Sequence, residues 1–339
     1  MGGRWALRYL LDRRVLSSAD AVLTTVEAED TSISHASSCV YLNGRPQWFI
    51  KRADPARSQG RDLGSEAAVY RLAASDPSLA EVIPRCRLID ERGDVIVLDA
   101  VAGKPLTAGL QRSSDRGTAG PSEIVRVYGE AVARIHAVQP PPMGTPPWLL
   151  TALEPQWGNY SWLPPACASL LSRLAASATM RAAFQQAQFE WTPSSLVHGD
   201  LRWANVLMDE DAENVKLWLV DWELACLGDP AWDVGSILAD IAATVLLEQG
   251  IPSLHEEPLS LSLSMLAGYR AASDFEIESW AWMLQRSVRL AGVRLVQTMI
   301  EQGHVSDDEL QKAEIRLMPW CVRFLTSAPA IAAELARAS

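Results

Sequence analysis

The sequence predicts an α+β fold in two parts, a small sheet carrying one helix and then a larger, mainly helical region. Three observations lead there. Turn formers separate two runs of strand formers at 40–51, the pattern of a β-hairpin. Beyond residue 106, apolar residues recur at helical spacing. The length, 339 residues with 48% apolar and 21% charged side chains, exceeds what one small core organises and suits about two lobes, which also argues against a mainly disordered chain. The expected division is a first lobe over 1–98, comprising an N-terminal helix and the sheet, a hinge over 99–105, and a second lobe over 106–339.

The elements follow in order. Within Met1–Leu16 the cluster Trp5, Leu7, Tyr9, Leu10 and Leu11 is interrupted by Arg8, Asp12, Arg13 and Arg14, so the stretch is neither a secretory signal nor a membrane span. Val40-Tyr41-Leu42, the turn Asn43-Gly44-Arg45-Pro46, and Gln47-Trp48-Phe49-Ile50-Lys51 form the hairpin. A helix follows over Ser65–Ala73, with Ser65 able to cap it and Val69, Leu72 and Ala73 on one face. Strands near 86–90 and 94–98 flank the turn Glu91-Arg92-Gly93. Asp99-Ala100-Val101-Ala102-Gly103-Lys104-Pro105 has the glycine and proline of a hinge.

In the second part, Ile124, Val127, Tyr128, Ala131, Val132 and Ile135 define the buried face of a helix that opens at Pro121, where a first-turn proline is tolerated. The proline-rich stretch 140–148 is a loop, because proline lacks the amide donor and clashes with a preceding turn. Further helices are expected near 166–189, 230–249, 258–272, 275–302 and 306–325, the last opening on a Ser306…Glu309 capping box. The stretch Ser236–Glu248 is too short and too polar to cross a bilayer.

Charge narrows the function. The net charge of -11 opposes a polyanionic partner, because phosphate contacts need a basic surface, so nucleic-acid binding is not expected, and without a spanning stretch no membrane partner is expected either. Residues 1–105 hold 14 basic and 14 acidic side chains, so all the net negative charge lies in 106–339, together with 11 of the 13 tryptophans. Two readings stay open: core tryptophan with solvated glutamate, or an acceptor site for something cationic or amphipathic. Five widely spaced cysteines without a CxxC pair suggest neither disulfides nor a zinc site and fit a reducing cytoplasm. The histidines lack an HExxH pattern, and His136 reads as a core residue.

One segment carries chemistry. Ser195-Leu196-Val197 runs into His198-Gly199-Asp200-Leu201-Arg202-Trp203-Ala204-Asn205, and a second strand over 215–220 ends at Asp221. A hairpin across 209–214 would bring Asn205 and Asp221 to the same end, a pair of hard oxygen donors suited to Mg2+. His-x-Asp, then Asn five residues on, then a strand-end Asp matches the kinase catalytic loop and metal-binding Asp. A lone HxD is uninformative; this full spacing, followed by Asp229-Pro230-Ala231-Trp232-Asp233, is far more specific.

On His198-Gly199-Asp200-Leu201…Asn205, Val220-Asp221-Trp222-Glu223 and Gly228-Asp229-Pro230…Asp233, the sequence resembles the aminoglycoside phosphotransferase and choline kinase superfamily over roughly residues 35–300. The resemblance implies a bilobal protein-kinase-like fold and an ATP- and Mg2+-dependent O-phosphotransferase. It implies that Asp200 faces the acceptor hydroxyl, that Asn205 and Asp221 hold Mg2+, and that His198 and Asp233 support the loop. Lys51 and Glu66 would form the pair that holds the nucleotide phosphates, with Ser37, Ser38, Asp99 and Val101 also at the nucleotide. Lys51 is one of only four lysines against 26 arginines.

Two departures stand out. The nucleotide-covering stretch 30–39 contains no glycine, leaving serines to approach phosphate. Arg202 stands two residues after Asp200, where Ser/Thr protein kinases use a lysine near the transferring phosphoryl group; it is either a catalytic or a structural arginine. Gly199 replaces the arginine of the HRD form, and no Ala-Pro-Glu follows Asp221, so constitutive activity is expected. The acceptor is expected to be a small cationic molecule such as an aminoglycoside or amino alcohol. The alternatives are a Ser/Thr peptide activated for elimination, as in lanthipeptide-like pathways, and a nucleotide-binding pseudokinase acting as a partner module. A metal-dependent hydrolase lacks histidine ligands, and the oligomeric state is left open.

Overall fold

In the computed structural model, Asn43 and Gly44 take φ values of 50° and 74°, and Leu42 lies opposite Arg45. This two-residue turn matches the right-handed twist of its strands and fixes their register. The structure describes residues 2–31, 35–54, 63–91, 94–101, 103–112, 120–154, 160–209, 215–247 and 258–338; the expected turn residues Arg92 and Gly93, and Ala102 of the hinge, fall outside them.

The chain divides into two units, residues 1–104 with 206–225, and residues 105–205 with 226–339. The segment 206–225, which the simple division at a hinge assigned to the second lobe, therefore belongs to the first unit.

In the first unit, helix α1 (Gly2–Asp12) and a short α2 (Ser18–Leu23) precede strands β1 (Val26–Asp30), β2 (Ala36–Leu42) and β3 (Arg45–Arg52). After α3 (Gly64–Ser75) and the single turn α4 (Pro77–Ala80) come β4 (Cys86–Asp90) and β5 (Val95–Asp99). The sheet is antiparallel, in the order β1-β2-β3-β5-β4. Strand residues alternate between faces. Val40, Ile50, Val95 and Val97 form one face, and Ala6 and Leu10, one turn apart on α1, pack on it. Helix α3 is not capped by Ser65: Leu63 is the N-cap, and the Ala67 amide bonds Leu63 O at 2.8 Å, closing the first turn ahead of the serine. Strands β6 (Val206–Asp209) and β7 (Lys216–Leu219) form the hairpin that joins this unit, with Val206 opposite Leu219; its turn, 210–214, lies outside the described residues.

The second unit is helical: α5 (Leu106–Arg112), α6 (Pro121–His136), α7 (Pro165–Ala176), α8 (Ala178–Phe189), α9 (Pro230–Leu246), α10 (Pro258–Ala271), α11 (Ile277–Val305) and α12 (Asp307–Ala338). The helix expected over 166–189 is two. Ser177 leaves the helical region at ψ 117° and its hydroxyl accepts from Met180 N, capping α8. Ser306 caps α12 through Glu309 N, and that helix runs beyond the expected end, bending at Ser327. Helices α6 and α10 meet at glycines: a Cβ on Gly129 would lie 2.1 Å from Met265 O, and one on Gly268 2.0 Å from Arg126 O. Backbones approach this closely only where no side chain intervenes. A short antiparallel pair, Ser195–Val197 with Cys226–Gly228, stands where the chain enters 198–205 and enters α9.

Candidate active site

Lys51 reaches its position by strand alternation. Ile50 points into the core beneath α1, so Lys51, Phe49, and their cross-strand neighbours Ser37 and Cys39 face the other side. There they line a cavity of about 300 Å3 that lies wholly within the first unit. Asp99, Ala100 and Val101 line it where β5 ends, and Leu207, Val220 and Asp221 line it from the hairpin segment. Ser38 does not. It lies opposite Ile50 on the core-facing side and is fully buried, so strand alternation turns it away from the cavity and corrects its expected place beside Ser37.

The Lys51 ammonium lies 2.8 Å from Glu66 Oε2 and 2.6 Å from Asp221 Oδ1, with Glu223 Oε2 at 3.6 Å. Burial works against the charged lysine, but Glu66 and Asp221 outweigh it and its pKa is raised. Glu66, on the first turn of α3 and 2% exposed, also accepts from Tyr70 OH one turn later at 3.3 Å. Asp221 adopts φ 67° and ψ 61°, a left-handed conformation uncommon for a residue with a side chain. Trp222, fully buried and bonded from Nε1 to Leu219 O, anchors the turn that holds it there. His35 lines the cavity, and its Nε2 stands 3.3 Å from Glu223 Oε2. Arg87 pairs with the Asp99 carboxylate at 2.5 Å, so at the cavity edge that side chain is already engaged.

The loop 198–205 lies in the second unit and is held from outside. Asp233, four residues into α9 and fully buried, accepts from His198 N at 2.7 Å, from Gly199 N at 3.0 Å and from His136 Nε2 at 3.1 Å. Seven residues on, along the same face, Asp240 accepts from Trp203 N at 2.7 Å. Burial pushes the Asp240 carboxyl up to about 6, against the Trp203 amide and Arg294. Trp232 Nε1 donates to Gly199 O at 2.9 Å, and Gly199 takes φ 85°, a conformation that suits glycine. Asp229 caps α9 through Ala231 N, and is gripped in turn by Arg286 of α11 at 3.0 Å.

These supports present Asp200, which is 8% exposed. Asn205 Nδ2 donates to its carbonyl at 2.8 Å and to Oδ2 at 3.2 Å, while Arg202 Nη2 stands 3.3 Å from Oδ2. Arg294 Nη2, from α11, donates to Oδ1 at 2.9 Å, and Arg294 Nη1 meets Glu301 Oε1 at 2.9 Å. Burial raises the Asp200 pKa, with Arg294 and Arg202 opposing it. The chain enters the β6–β7 hairpin just after Asn205 and leaves it just before Asp221.

Sequence reasoning did not single out Arg294, Glu301 or Asp240; His136, read as a core residue, is buried, and its ring there bonds both Asp233 and Tyr269 OH. The available signal was an ionised side chain inside an apolar helical run, as in Ala291-Gly292-Val293-Arg294-Leu295-Val296, which requires a partner. Among the described residues, no group of three or more His, Cys, Asp or Glu is placed to hold a metal ion.

The family model described as "Phosphotransferase enzyme family" matches residues 32–255. No curated protein matches the chain. Among solved structures, an ethanolamine kinase from Plasmodium vivax is similar at a TM-score of 0.63 and 12% identity, covering 95% of this chain and 89% of its own. A microcompartment-associated aminopropanol kinase gives 0.58 and 16%, over 90% and 94%. An aminoglycoside 2′-phosphotransferase IIIa solved with GDP gives 0.56 and 14%, over 96% and 99%. The α+β, protein-kinase-like fold is common to all of them.

Proposed function

Because the chain belongs to the phosphotransferase enzyme family, whose model covers residues 32–255, we propose that it moves the γ-phosphate of ATP to a hydroxyl group of a small acceptor, with Mg2+. The observation that carries this reading is the buried Lys51 ammonium on the cavity wall, paired with Glu66 at 2.8 Å and Asp221 at 2.6 Å. Such a cation meets nucleotide phosphates, with the base end toward Asp99 and Val101 and Ser37 on the sheet side. Asn205 and Asp221 would hold the metal. Both offer hard oxygens, and because the Asn205 amide nitrogen is committed to Asp200, its oxygen is the free donor. A metal held there would supply positive charge against the phosphates.

Asp200 orients the acceptor hydroxyl and receives its proton, while Arg202 offsets charge as it spreads over the moving phosphoryl group. His198 and Asp233 keep the loop in shape. The acceptor is an amine-bearing alcohol. The negative charge of residues 106–339 concentrates cations, and the fold neighbours are named for ethanolamine, aminopropanol and aminoglycosides. The second reading, a Ser/Thr peptide, is favoured by Arg202, whose guanidinium stands 3.3 Å from Asp200 at the position of the protein-kinase lysine.

The test is a phosphate-transfer screen with ATP and Mg2+ over amino alcohols, aminoglycosides, neutral sugars and Ser/Thr peptides, read as a gain of one phosphate by mass. Transfer to amine-bearing alcohols is expected. Transfer to peptides alone would replace the acceptor, and nucleotide binding without transfer to any class would make the protein a binding module.

A further inference from the structure

The two oxygens of Asp200 are held in different ways. Oδ1 accepts from Arg294 Nη2 at 2.9 Å, and this guanidinium is 4% exposed and fixed from its other terminal nitrogen by Glu301 at 2.9 Å. Glu301 is braced by Gln297 Nε2 at 3.1 Å, so the whole clamp rides on one face of α11. Oδ2 has longer contacts, Asn205 at 3.2 Å and Arg202 at 3.3 Å; the Arg202 side chain is 39% exposed, and its reach to Glu301 is 3.6 Å.

Arg294 also sits in costly surroundings. Ala291, Val293, Leu295 and Val296 around it in the sequence are fully buried, and a guanidinium there must lose its water. A buried ion pair stabilises a fold little better than apolar side chains of the same volume, so the gain from this one lies in what it orients. It orients Asp200.

We infer that Arg294 is a positioning residue for the transfer reaction: it anchors Asp200 Oδ1 and so makes Oδ2 the oxygen that meets the acceptor hydroxyl. The inference rests on the kinase reading above. The acceptor hydroxyl donates to Oδ2. Its oxygen bonds to the γ-phosphorus as the bond from that phosphorus to the β,γ-bridging oxygen breaks, the electron pair departs with ADP, and the proton passes to Oδ2 and then to solvent. Arg202, loosely attached to the same oxygen, can move to the phosphoryl group without releasing the carboxylate from Arg294. Arginine is required because each terminal nitrogen serves a different carboxylate in a fixed fork, which a point ammonium cannot reproduce.

The test compares Arg294→Met and Arg294→Lys with the wild-type full chain, using an acceptor found in the screen. Misplacing a reacting group by an ångström costs about 100-fold, so kcat should fall about 100-fold in Arg294→Met and about tenfold in Arg294→Lys, with the KM for ATP unchanged within about twofold. In an Asp200→Asn background, Arg294→Met should lower the residual rate by less than about twofold, because the group it positions is already lost. A role confined to folding would lower the melting temperature and leave kcat of the folded fraction unchanged in both backgrounds. Wild-type kcat in either single variant, or full additivity in the double variant, would overturn the inference alone. Should Arg294→Met fail to fold, Arg294→Lys decides by the same criterion. Absence of transfer by the wild-type protein would overturn the kinase reading, and this inference with it.

Discussion

In the first unit one cation, Lys51, stands among the carboxylates of Glu66, Asp221 and Glu223; in the second, one carboxylate, Asp200, stands between the guanidiniums of Arg202 and Arg294. Both groups are buried, but the balance differs: at Lys51 the carboxylates outweigh burial and the pKa is raised, whereas at Asp200 burial raises the pKa with the guanidiniums opposing it. Their supports differ. Lys51 is aimed by strand register and meets Glu66, 15 residues away, whereas Arg294 is 94 residues from Asp200 and Asp233 is 35 from His198. Strand register aims the lysine and brings it Glu66, but its second carboxylate, Asp221, comes from 170 residues away, and the loop at 198–205 has its outside supports from helices of the second unit.

The comparison breaks first at Asp200. Asp200→Asn should lower turnover by ~10²–10⁴-fold while leaving ATP binding and the urea midpoint nearly unchanged, since the guanidiniums keep Glu301 as a partner. Turnover within tenfold of the wild type would remove Asp200 from the reaction. Lys51→Met should act in the opposite way. It strands a buried Glu66, so unfolding in urea should show a loss of ~3–5 kcal/mol, and the thermal stabilisation by ATP-Mg2+ should vanish. An unaltered ATP-induced shift would mean that Lys51 does not meet the nucleotide.

The smallest effect tests the support itself. The Asp240 carboxyl is raised to about 6 from its ordinary 3.8. The folded state therefore holds a proton that the unfolded chain has released between those values. The stability this gives is fully present below pH 3.8 and is lost as pH rises through about 6. Raising a carboxyl from 3.8 to about 6 corresponds to roughly 3 kcal/mol. Asp240→Asn keeps an acceptor for Trp203 N and cannot ionise, so its stability relative to the wild type should rise by roughly 3 kcal/mol between about pH 4 and pH 7. A constant difference across that range would show that Asp240 ionises as freely in the fold as outside it.

The hairpin at 40–51 was legible because Asn43-Gly44 prescribes its own turn, and the loop at 198–205 because the kinase spacing is short-range. The cap at Leu63, the break at Ser177 and the core-facing turn of Ser38 were not, since each depends on one residue of register that composition leaves free. Strand β1, absent from the sequence reading, has the polar pattern Val26-Glu27-Ala28-Glu29-Asp30 of an edge and little strand signal of its own. Arg294, Glu301 and Asp240 were missed for a different reason. Their partners lie outside any local window, and an isolated charge in an apolar helix says that a partner exists without saying where.

The return of residues 206–225 to the first unit bears on how such a chain can be divided or recombined. One cut near residue 105 yields an amino-terminal piece with Lys51 and Glu66 but without Leu207, Val220 and Asp221, so its cavity lacks a wall and its lysine one counter-charge. The remaining piece carries that hairpin with no sheet of its own unit to accompany it. Exchange of front halves between related genes would join a lysine from one parent to an aspartate from another. A recombined chain therefore keeps this contact only where both parents supply a matching residue, although 170 residues of chain separate the two positions.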